Sequence, residues 1–262
     1  MVNSSMTTSS SDIIIVKDLK KAFGRFVAVN SISFSVKKGE IFGFLGSNGS
    51  GKSTTIRMLC GILMPTSGFG VVAGHDISTE PEEVKKSIGY MSQRFSLYED
   101  LTPIENIRFY LGIYMVPTDQ WDERIQWVLD LSRLKEVCNR PVRELPPGWH
   151  QRLALGCALL HKPKILFLDE PTSGVDLITR RHFWDFIGNL ATSGITVFAT
   201  THYMDEADFC QRVAVIDRGE IIAMGSPSSI ISDAMPEFSK ATFKDAFITL
   251  VSRRIEPQVD RR

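Results

Sequence analysis

A short stretch between an apolar run and a run with helical character has the spacing needed to bind a phosphate chain. It reads Gly46-Ser47-Asn48-Gly49-Ser50-Gly51-Lys52-Ser53, which fits a glycine, four residues, then Gly-Lys-Ser/Thr. The apolar run Ile41–Leu45 precedes it, and residues 54–59 follow it. We therefore predict a strand–loop–helix unit that holds phosphate groups.

Each residue type in this loop suits the binding of a nucleotide. Glycines let the backbone turn and present several N–H groups to one point. With the helix N-terminus behind them, these donors form a concave site for the α- and β-phosphates. Lys52 supplies a cation for the β- and γ-phosphates, and Ser53 supplies a hydroxyl for Mg²⁺. The motif does not distinguish a kinase, a motor, a GTPase or a transporter.

Two adjacent carboxylates follow a continuously apolar run further along the chain. Residues 165–168 read Ile-Leu-Phe-Leu, as in a strand buried on both faces. Asp169, at the end of this strand, can hold the water shell of Mg²⁺. Glu170 can orient and deprotonate a water that attacks the γ-phosphate.

Two further polar residues follow predicted strands. His202 closes an apolar run that begins at Thr196, where it can donate to the γ-phosphate. Gln93 follows the run Ile88–Met91, where its amide can reach Mg²⁺ or the attacking water. Taken alone, a strand-end histidine is more often an ordinary polar residue, and a lone glutamine carries almost no signal.

Charge balance and hydropathy limit the kinds of partner. The 262 residues carry 30 basic and 30 acidic side chains, so there is no general electrostatic case for nucleic acid. No apolar run approaches the roughly 18 residues that span a bilayer.

The polar start, residues 1–11, predicts a disordered tail and no signal peptide. The four cysteines form no Cys-x-x-Cys pair, which favours buried reduced thiols and a cytosolic chain.

Apolar runs alternate with helical segments, which predicts an α/β domain with a largely parallel sheet and an antiparallel flank from the early strands. Residues 97–160 contain no evident strand. Within them, Thr102, Pro103 and Glu105 form a helix start with an N-cap, a first-turn proline and a capping box. The predicted strands are residues 13–16, 32–36, 41–45, 71–72, 88–91, 165–168, 196–200, 213–216 and 221–223.

Amphipathic stripes predict a small helical subdomain at about residues 95–160, inserted between the phosphate loop and the later strands. Its helices carry stripes that begin at Ile104 and Trp121, and a third helix is predicted at 149–160. The C-terminal extension, residues 226–262, carries one more stripe from Phe243 onwards. Docking on the domain is expected there, and contact with a partner is the alternative.

Together, these motifs resemble those of the nucleotide-binding subunits of ABC transporters. The resemblance runs from about residue 13 to residue 224, with the elements in the family's order. It implies a glutamine loop at Gln93, a catalytic Glu170 and a switch histidine at His202. Nucleotide contacts are implied for Phe23, Gly46, Ser47, Asn48, Gly49, Ser50, Gly51, Lys52, Ser53, Thr54, Gly148 and Asp176, and a Mg²⁺ shell for Ser53, Gln93 and Asp169.

The resemblance also implies an architecture and an activity. We expect a P-loop NTPase fold of the ABC ATPase type over residues 12–225, with Phe23 stacked on adenine. The implied activity is hydrolysis of ATP with Mg²⁺, by two such subunits that sandwich two ATP molecules head to tail. A separate transmembrane permease is the implied partner, and nucleic acid is not expected. The implied location is cytoplasmic, peripheral on the inner face of the membrane.

Residues 97–102, 157–163 and 201–207 resemble one branch of the family, the ATPases of ABC-2-type exporters, which includes drug-efflux systems.

One departure from the family pattern concerns the signature, usually Leu-Ser-Gly-Gly-Gln, which here reads Leu145-Pro146-Pro147-Gly148-Trp149. Pro146 lacks the serine hydroxyl, and both prolines lack an N–H. The Gly148 N–H and the dipole of the following helix remain. Because similar signatures occur in the exporter branch, we interpret the loss as compensated.

Two other functions fit part of the pattern. One is a soluble ABC ATPase that acts on ribosomes or DNA, but such proteins usually carry two nucleotide-binding domains or a long coiled-coil insertion, and neither is evident. The other is a weakly hydrolysing regulatory subunit. The prolines at 146 and 147 favour this alternative, and the intact Lys52 and Glu170 argue against it. The sequence names neither the transported molecule nor the direction of transport, nor whether the ATPase pair is identical or mixed.

Overall fold

A computed structural model of the chain describes residues 11–93, 96–238 and 240–255. The predicted N-terminal tail, residues 1–11, therefore lies outside the described residues except for Ser11. The same holds for residues 256–262 of the predicted C-terminal extension. Within the part of the chain that is described, none of the helices combines the length and apolar content that a bilayer crossing needs.

The early strands form an antiparallel sheet. Strands β1 (Asp12–Phe23) and β2 (Phe26–Lys37) pair as a hairpin, and β1 also pairs with β4 (Ser67–Val72), which in turn pairs with β5 (His75–Asp76). This confirms the predicted antiparallel flank. Both hairpin strands are longer than predicted, because register shifts interrupt the apolar alternation from which a strand is recognised.

The second sheet is parallel except at one edge. Its order is β10-β9-β3-β8-β7-β6, and only β10, at the edge, runs antiparallel. Parallel strands bring their carboxyl ends to the same edge of a sheet, so the loops that follow them lie side by side. The strands are β3 (Ile41–Leu45), β6 (Ile88–Met91), β7 (Ile165–Asp169), β8 (Thr196–Thr201), β9 (Arg212–Asp217) and β10 (Glu220–Gly225).

Helices cover the sheets and fill the middle of the chain. The predicted capping box begins α3: Thr102 Oγ1 accepts from the Glu105 amide, and the Glu105 carboxylate accepts from the Thr102 amide. The helix predicted at 149–160 begins two residues earlier, with Pro147 in its first turn. The helices are α1 (Lys52–Leu59), α2 (Pro81–Ser87), α3 (Pro103–Ile113), α4 (Trp121–Leu131), α5 (Pro147–Leu159), α6 (Leu177–Thr192), α7 (Pro227–Ala234) and α8 (Phe243–Ile255).

The helices of the middle segment share a core of their own. Ile107 of α3, Val128 of α4 and Leu153 of α5 belong to one buried cluster, separate from the clusters at the sheets. The C-terminal helix α8 packs on the rest of the domain, where Phe243 and Ala246 are buried.

Candidate nucleotide site

Loops that follow four parallel strands meet at one edge of the second sheet. The phosphate loop follows β3, Gln93 follows β6, Glu170 follows β7 and His202 follows β8. These strands are neighbours in the order β3-β8-β7-β6. Sheet order therefore brings together residues that are widely separated in the sequence.

Close approach of the backbone accounts for two glycines of the phosphate loop. A Cβ on Gly46 would lie 2.3 Å from the Ile216 carbonyl oxygen, and one on Gly51 would lie 2.6 Å from the Ala28 carbonyl oxygen. Gly51 also has φ +111°, in a region that other residues rarely adopt. Helix α1 begins at the next residue, Lys52, so its N-terminal N–H groups face the loop, as anion binding requires.

Lys52 lies folded over this loop and is nearly fully buried. Its Nζ donates to the carbonyl oxygens of Gly46, at 2.9 Å, and Ser47, at 3.0 Å. The same Nζ lies 3.1 Å from Glu170 Oε1. The carboxylate that the sequence analysis assigns as general base thus balances the charge of the phosphate-binding lysine.

Glu170 is the point at which the other predicted residues converge. Its Oε2 accepts from Gln93 Nε2 at 3.2 Å and lies 3.0 Å from His202 Nδ1. The backbone has φ +48°, uncommon for a residue with a Cβ. The amide N–H donates both to the Thr200 hydroxyl, at 3.0 Å, and to the Thr200 carbonyl, at 3.1 Å. These bonds hold the glutamate in its unusual conformation.

Asp169 lies beside this group and contacts the phosphate loop. Its Oδ1 accepts from Ser53 Oγ at 3.1 Å and from Thr200 Oγ1 at 2.7 Å. The side chain is 1 % exposed, and this burial raises the pKa of the carboxyl, while the two hydroxyl bonds act in the opposite direction. The structure thus joins the two oxygen donors predicted to share a metal, Ser53 and Asp169, whereas Gln93 bonds to Glu170.

Thr200 also belongs to this site, and the sequence analysis assigned no role to it. It bonds to both members of the carboxylate pair, Asp169 Oδ1 through its hydroxyl and the Glu170 amide through its hydroxyl and its carbonyl. The only sequence feature that could have indicated this role is a hydroxyl side chain near the end of a predicted apolar strand. Its role depends on β8 lying next to β7, and the local sequence carries no such information.

A cavity of about 360 Å³ opens over the phosphate loop. The ring of Phe26 contributes to its wall, whereas Phe23, which the family resemblance predicts as the adenine contact, is not among the lining residues. The two residues face each other across the β1–β2 hairpin and are 64 % and 50 % exposed, respectively. The Lys21 Nζ lies 5.1 Å from the centre of the Phe23 ring. The lining residues are Phe26, Ala28, Asn48, Gly49, Gly51, Lys52, Ser53, Thr54, Gln93 and Glu170.

Gly148 and Asp176 are not among the residues that line this cavity, and the two lie close to each other. Pro146 is the N-cap of α5, and a Cβ on Gly148 would lie 3.0 Å from Thr179 Cγ2 at the start of α6. Asp176 is the N-cap of α6. It accepts from the Thr179 hydroxyl at 2.6 Å and from two backbone amides, and these bonds lower the pKa of its carboxyl.

Comparison with known proteins identifies the family. Residues 29–173 match the family model described as "ABC transporter". This match covers more than half of the chain, and the chain therefore belongs to the ABC transporter family. The predicted resemblance is confirmed.

Two curated relatives illustrate the similarity. "Probable multidrug ABC transporter ATP-binding protein YbhF" of Escherichia coli (strain K12) is 46% identical over 245 residues, which are 93% of this chain and 42% of YbhF. The chain thus spans less than half of the length of that relative. "Linearmycin resistance ATP-binding protein LnrL" of Bacillus subtilis (strain 168) is 38% identical over 240 residues, which are 90% of this chain and 77% of LnrL.

A solved structure supports the fold. The dimeric ATP-binding cassette MJ0796, in a post-hydrolysis state bound to ADP and phosphate, superposes with a TM-score of 0.73 at 26% identity, over 81% of this chain and 98% of that chain. The fold is that of an ABC ATPase cassette, which confirms the predicted P-loop NTPase class with its antiparallel flank and inserted helices.

Proposed function

We propose that this chain is the ATP-binding and hydrolysing subunit of an ABC system of the ABC-2 exporter type, and that it drives a separate membrane permease. The observation that carries the proposal is the convergence of Lys52, Gln93 and His202 on Glu170. Such a cluster joins a phosphate-binding cation, a candidate base and two polar groups that can position water or phosphate. The names of YbhF and LnrL support the exporter type.

In the proposed reaction, Lys52 exchanges the Glu170 carboxylate for the β- and γ-phosphates. Glu170 then accepts a proton from water while the water oxygen bonds to the γ-phosphorus and the bond to ADP, the leaving group, breaks. The Gln93 amide orients that water, and the His202 ring donates to the γ-phosphate, where negative charge develops. The backbone N–H groups of residues 46–54 bind the α- and β-phosphates at the start of α1.

The residues beside the phosphate loop fit a magnesium ion that accompanies ATP. Ser53 Oγ and Asp169 Oδ1 lie 3.1 Å apart, and both are hard oxygen donors of the kind that Mg²⁺ prefers. Asp169 is buried, so a cation would relieve the unfavourable burial of its charge. Bound there with the nucleotide, the ion would neutralise charge on the β- and γ-phosphates. The side-chain oxygen of Gln93 would be a further ligand of the same kind.

A second ATP-binding subunit completes each site in this proposal. Gly148 and Asp176 do not line the cavity of their own chain, yet the two lie on one surface at the starts of α5 and α6. A head-to-tail partner would bring that surface over the phosphate loop. The dimeric form of the MJ0796 cassette supports such an arrangement.

The permease contact is proposed for the surface around α3. A cavity of about 340 Å³ there is lined largely by apolar and aromatic residues, among them Leu97, Tyr98, Phe109 and Ile113. Tyr98 is 49 % exposed, and its ring packs edge-on against Phe109 with 4.6 Å between centroids. Such exposed apolar area on a surface is typical of a binding site for another protein. Phe95, a further aromatic residue of this segment, lies outside the described residues.

The domain organisation follows from the same proposal. Residues 12–225 form the ATP-binding domain, with the helical subdomain at about 95–160 carrying the permease contact. Residues 226–262 form an extension whose helix α8 packs on that domain. Such a subunit would lie in the cytoplasm, peripheral on the inner face of the membrane.

The hydrolysis part is tested by phosphate release from the purified chain with ATP and Mg²⁺. Lys52→Ala is expected to abolish turnover and weaken ATP binding measured by calorimetry, because the phosphates lose their nearest cation. Lys85→Ala is the matched control, since Lys85 is exposed and pairs with the nearby Glu82. An unchanged rate and affinity in Lys52→Ala would remove the proposed site.

The transport part is tested by cross-linking in the complex with a co-expressed permease. A cysteine at Tyr98 is expected to capture the membrane subunit, while a cysteine at the exposed Glu237 serves as the control. Cys138 should first become serine, because the other three native thiols are buried. Stimulation of hydrolysis by ribosomes or DNA, with no capture by a functional permease complex, would favour a soluble ABC ATPase instead.

A further inference from the structure

The buried carboxylate of Glu206, which has no part in the proposed reaction, bonds to the loop that follows Glu170. Glu206 is 0 % exposed and lies in the 3-10 helix Met204–Phe209, shortly after His202. Its Oε1 accepts from Thr172 Oγ1 at 2.5 Å. Thr172 is also fully buried and lies in the loop between Glu170 and α6. One hydrogen bond therefore connects the segment after the candidate base with the segment after the candidate switch histidine.

Arg180 of α6 holds the same segment from another direction. Its Nε lies 3.5 Å from Glu206 Oε1, and its Nη1 lies 3.3 Å from Asp205 Oδ2. The guanidinium carbon lies 3.6 Å from the centre of the Tyr203 ring, a cation–π contact. The Tyr203 ring in turn lies 4.1 Å from the His202 ring, centre to centre. The contacts of Arg180 thus extend to the ring of the histidine itself.

A buried network of this kind contributes little net stability to the fold. Burial of a carboxylate is unfavourable unless hydrogen bonds and opposite charge compensate it, and Glu206 Oε2 has no hydrogen-bond partner within the described part of the chain. Apolar residues of similar volume often stabilise a protein as well as a buried ion pair does. The polar arrangement is better explained by the geometry that it imposes on two loops.

We infer that Glu206 is a positioning residue for ATP hydrolysis. Through Thr172 and Arg180 it fixes the loops after β7 and β8 relative to each other, and so sets the contact between Glu170 Oε2 and His202 Nδ1, which is 3.0 Å long. A displacement of about 1 Å in such a contact can lower a rate by roughly a hundredfold. The inference rests on the proposed function, because it assigns Glu206 to the same reaction.

Three variants isolate this role. Thr172→Val removes the hydroxyl at nearly constant volume, Glu206→Leu removes the acceptor and the charge, and Glu206→Gln keeps an acceptor for Thr172. The matched controls are Thr192→Val and Glu237→Leu, which alter exposed residues of the same types. The measurements are kcat and KM for ATP hydrolysis by the purified full chain, and the thermal midpoint of unfolding without nucleotide.

We expect Thr172→Val and Glu206→Leu to lower kcat by at least about tenfold, with KM for ATP within about twofold of wild type. Glu206→Gln should recover part of that loss. Because the two side chains act through one bond, the double variant Thr172→Val/Glu206→Leu should be no slower than the slower single variant. The controls should keep the wild-type kcat.

The inference is overturned if both single variants keep the wild-type kcat, if their losses of kcat multiply in the double variant, or if the losses follow a matching fall in thermal midpoint. Should Glu206→Leu fail to fold, Thr172→Val and Glu206→Gln decide the question. A wild-type chain that does not hydrolyse ATP would remove the proposed function and this inference with it. An active wild type with unaltered variants would overturn the inference alone.

Discussion

Lys52 and Glu170 form a buried ion pair, with 3.1 Å between Nζ and Oε1. One partner is the cation proposed for the β- and γ-phosphates, and the other is the proposed general base. ATP binding therefore has to exchange partners at both residues: phosphate replaces the carboxylate on Lys52, and Glu170 becomes free to accept a proton from water. The pair links the occupancy of the phosphate loop to the state of the base.

Glu170→Gln should abolish turnover and retain ATP binding, because it removes the base and nearly keeps the shape of the side chain. We expect kcat to fall by at least about a hundredfold, and a stable ATP-bound dimer to accumulate. Since no carboxylate then competes for Lys52, the affinity for ATP should equal or exceed that of wild type. Phosphate release, calorimetry and size-exclusion chromatography measure these effects. Near-normal steady-state hydrolysis would remove Glu170 from the role of base.

Phe23→Ala and Phe26→Ala distinguish two candidates for the adenine contact. The family resemblance predicts Phe23, whereas Phe26 lines the cavity over the phosphate loop. Loss of the stacking ring should weaken binding of ATP by about 1–2 kcal/mol and leave kcat at saturating ATP largely intact. Calorimetry with ATP and ADP on both variants assigns the ring. Phe69→Ala, which removes an exposed ring elsewhere on the same sheet, is the control.

Pro146→Ser combined with Pro147→Gly tests the unusual signature. Pro146 is the N-cap of α5, a position at which serine is favoured, so the helix should persist. The double variant restores a hydroxyl and two N–H groups, and we expect hydrolysis by the assembled complex to rise by about tenfold if those donors limit the rate. A rate that falls while the circular dichroism stays native would show that the prolines belong to a compensated design.

His161 should make the nucleotide-free protein less stable in mild acid. Its Nε2 lies 2.8 Å from the Ile88 carbonyl oxygen, and its ring stacks on Tyr114. Burial lowers the pKa of His161, while the bond to the carbonyl acts in the opposite direction. A depressed pKa means that the unfolded chain binds the proton more readily. The contribution of this residue to stability is therefore full above the unfolded pKa, about 6.5, and is lost as the pH falls through the folded pKa.

The comparison of urea unfolding at about pH 7.5 and about pH 5.5 tests this prediction. His161→Phe keeps a ring against Tyr114 and removes the titration, so its midpoint should change less with pH than that of wild type. His182→Phe, at an exposed position of α6, should keep the wild-type pH dependence. The same pH dependence in wild type and in His161→Phe would assign the acid sensitivity to other groups.

Local sequence was sufficient for the features that depend on neighbouring residues. The spacing from Gly46 to Ser53 predicted the phosphate loop, because the backbone conformation and the following helix are set within a few residues. The capping box of Thr102 and Glu105 predicted the start of α3 for the same reason. The apolar run at 165–168 predicted a buried strand, which is found at Ile165–Asp169, with Glu170 directly after it.

The tertiary structure decided the contacts between distant segments. Thr200 bonds to Asp169 and to the Glu170 amide because β8 lies beside β7, and Glu206 meets Thr172 because the loops after those strands are adjacent. The choice between Phe23 and Phe26 at the cavity depends on the direction in which the β1–β2 hairpin faces the phosphate loop. Strand order and loop packing arise from the burial of the whole core, so no pattern within a single segment contains them.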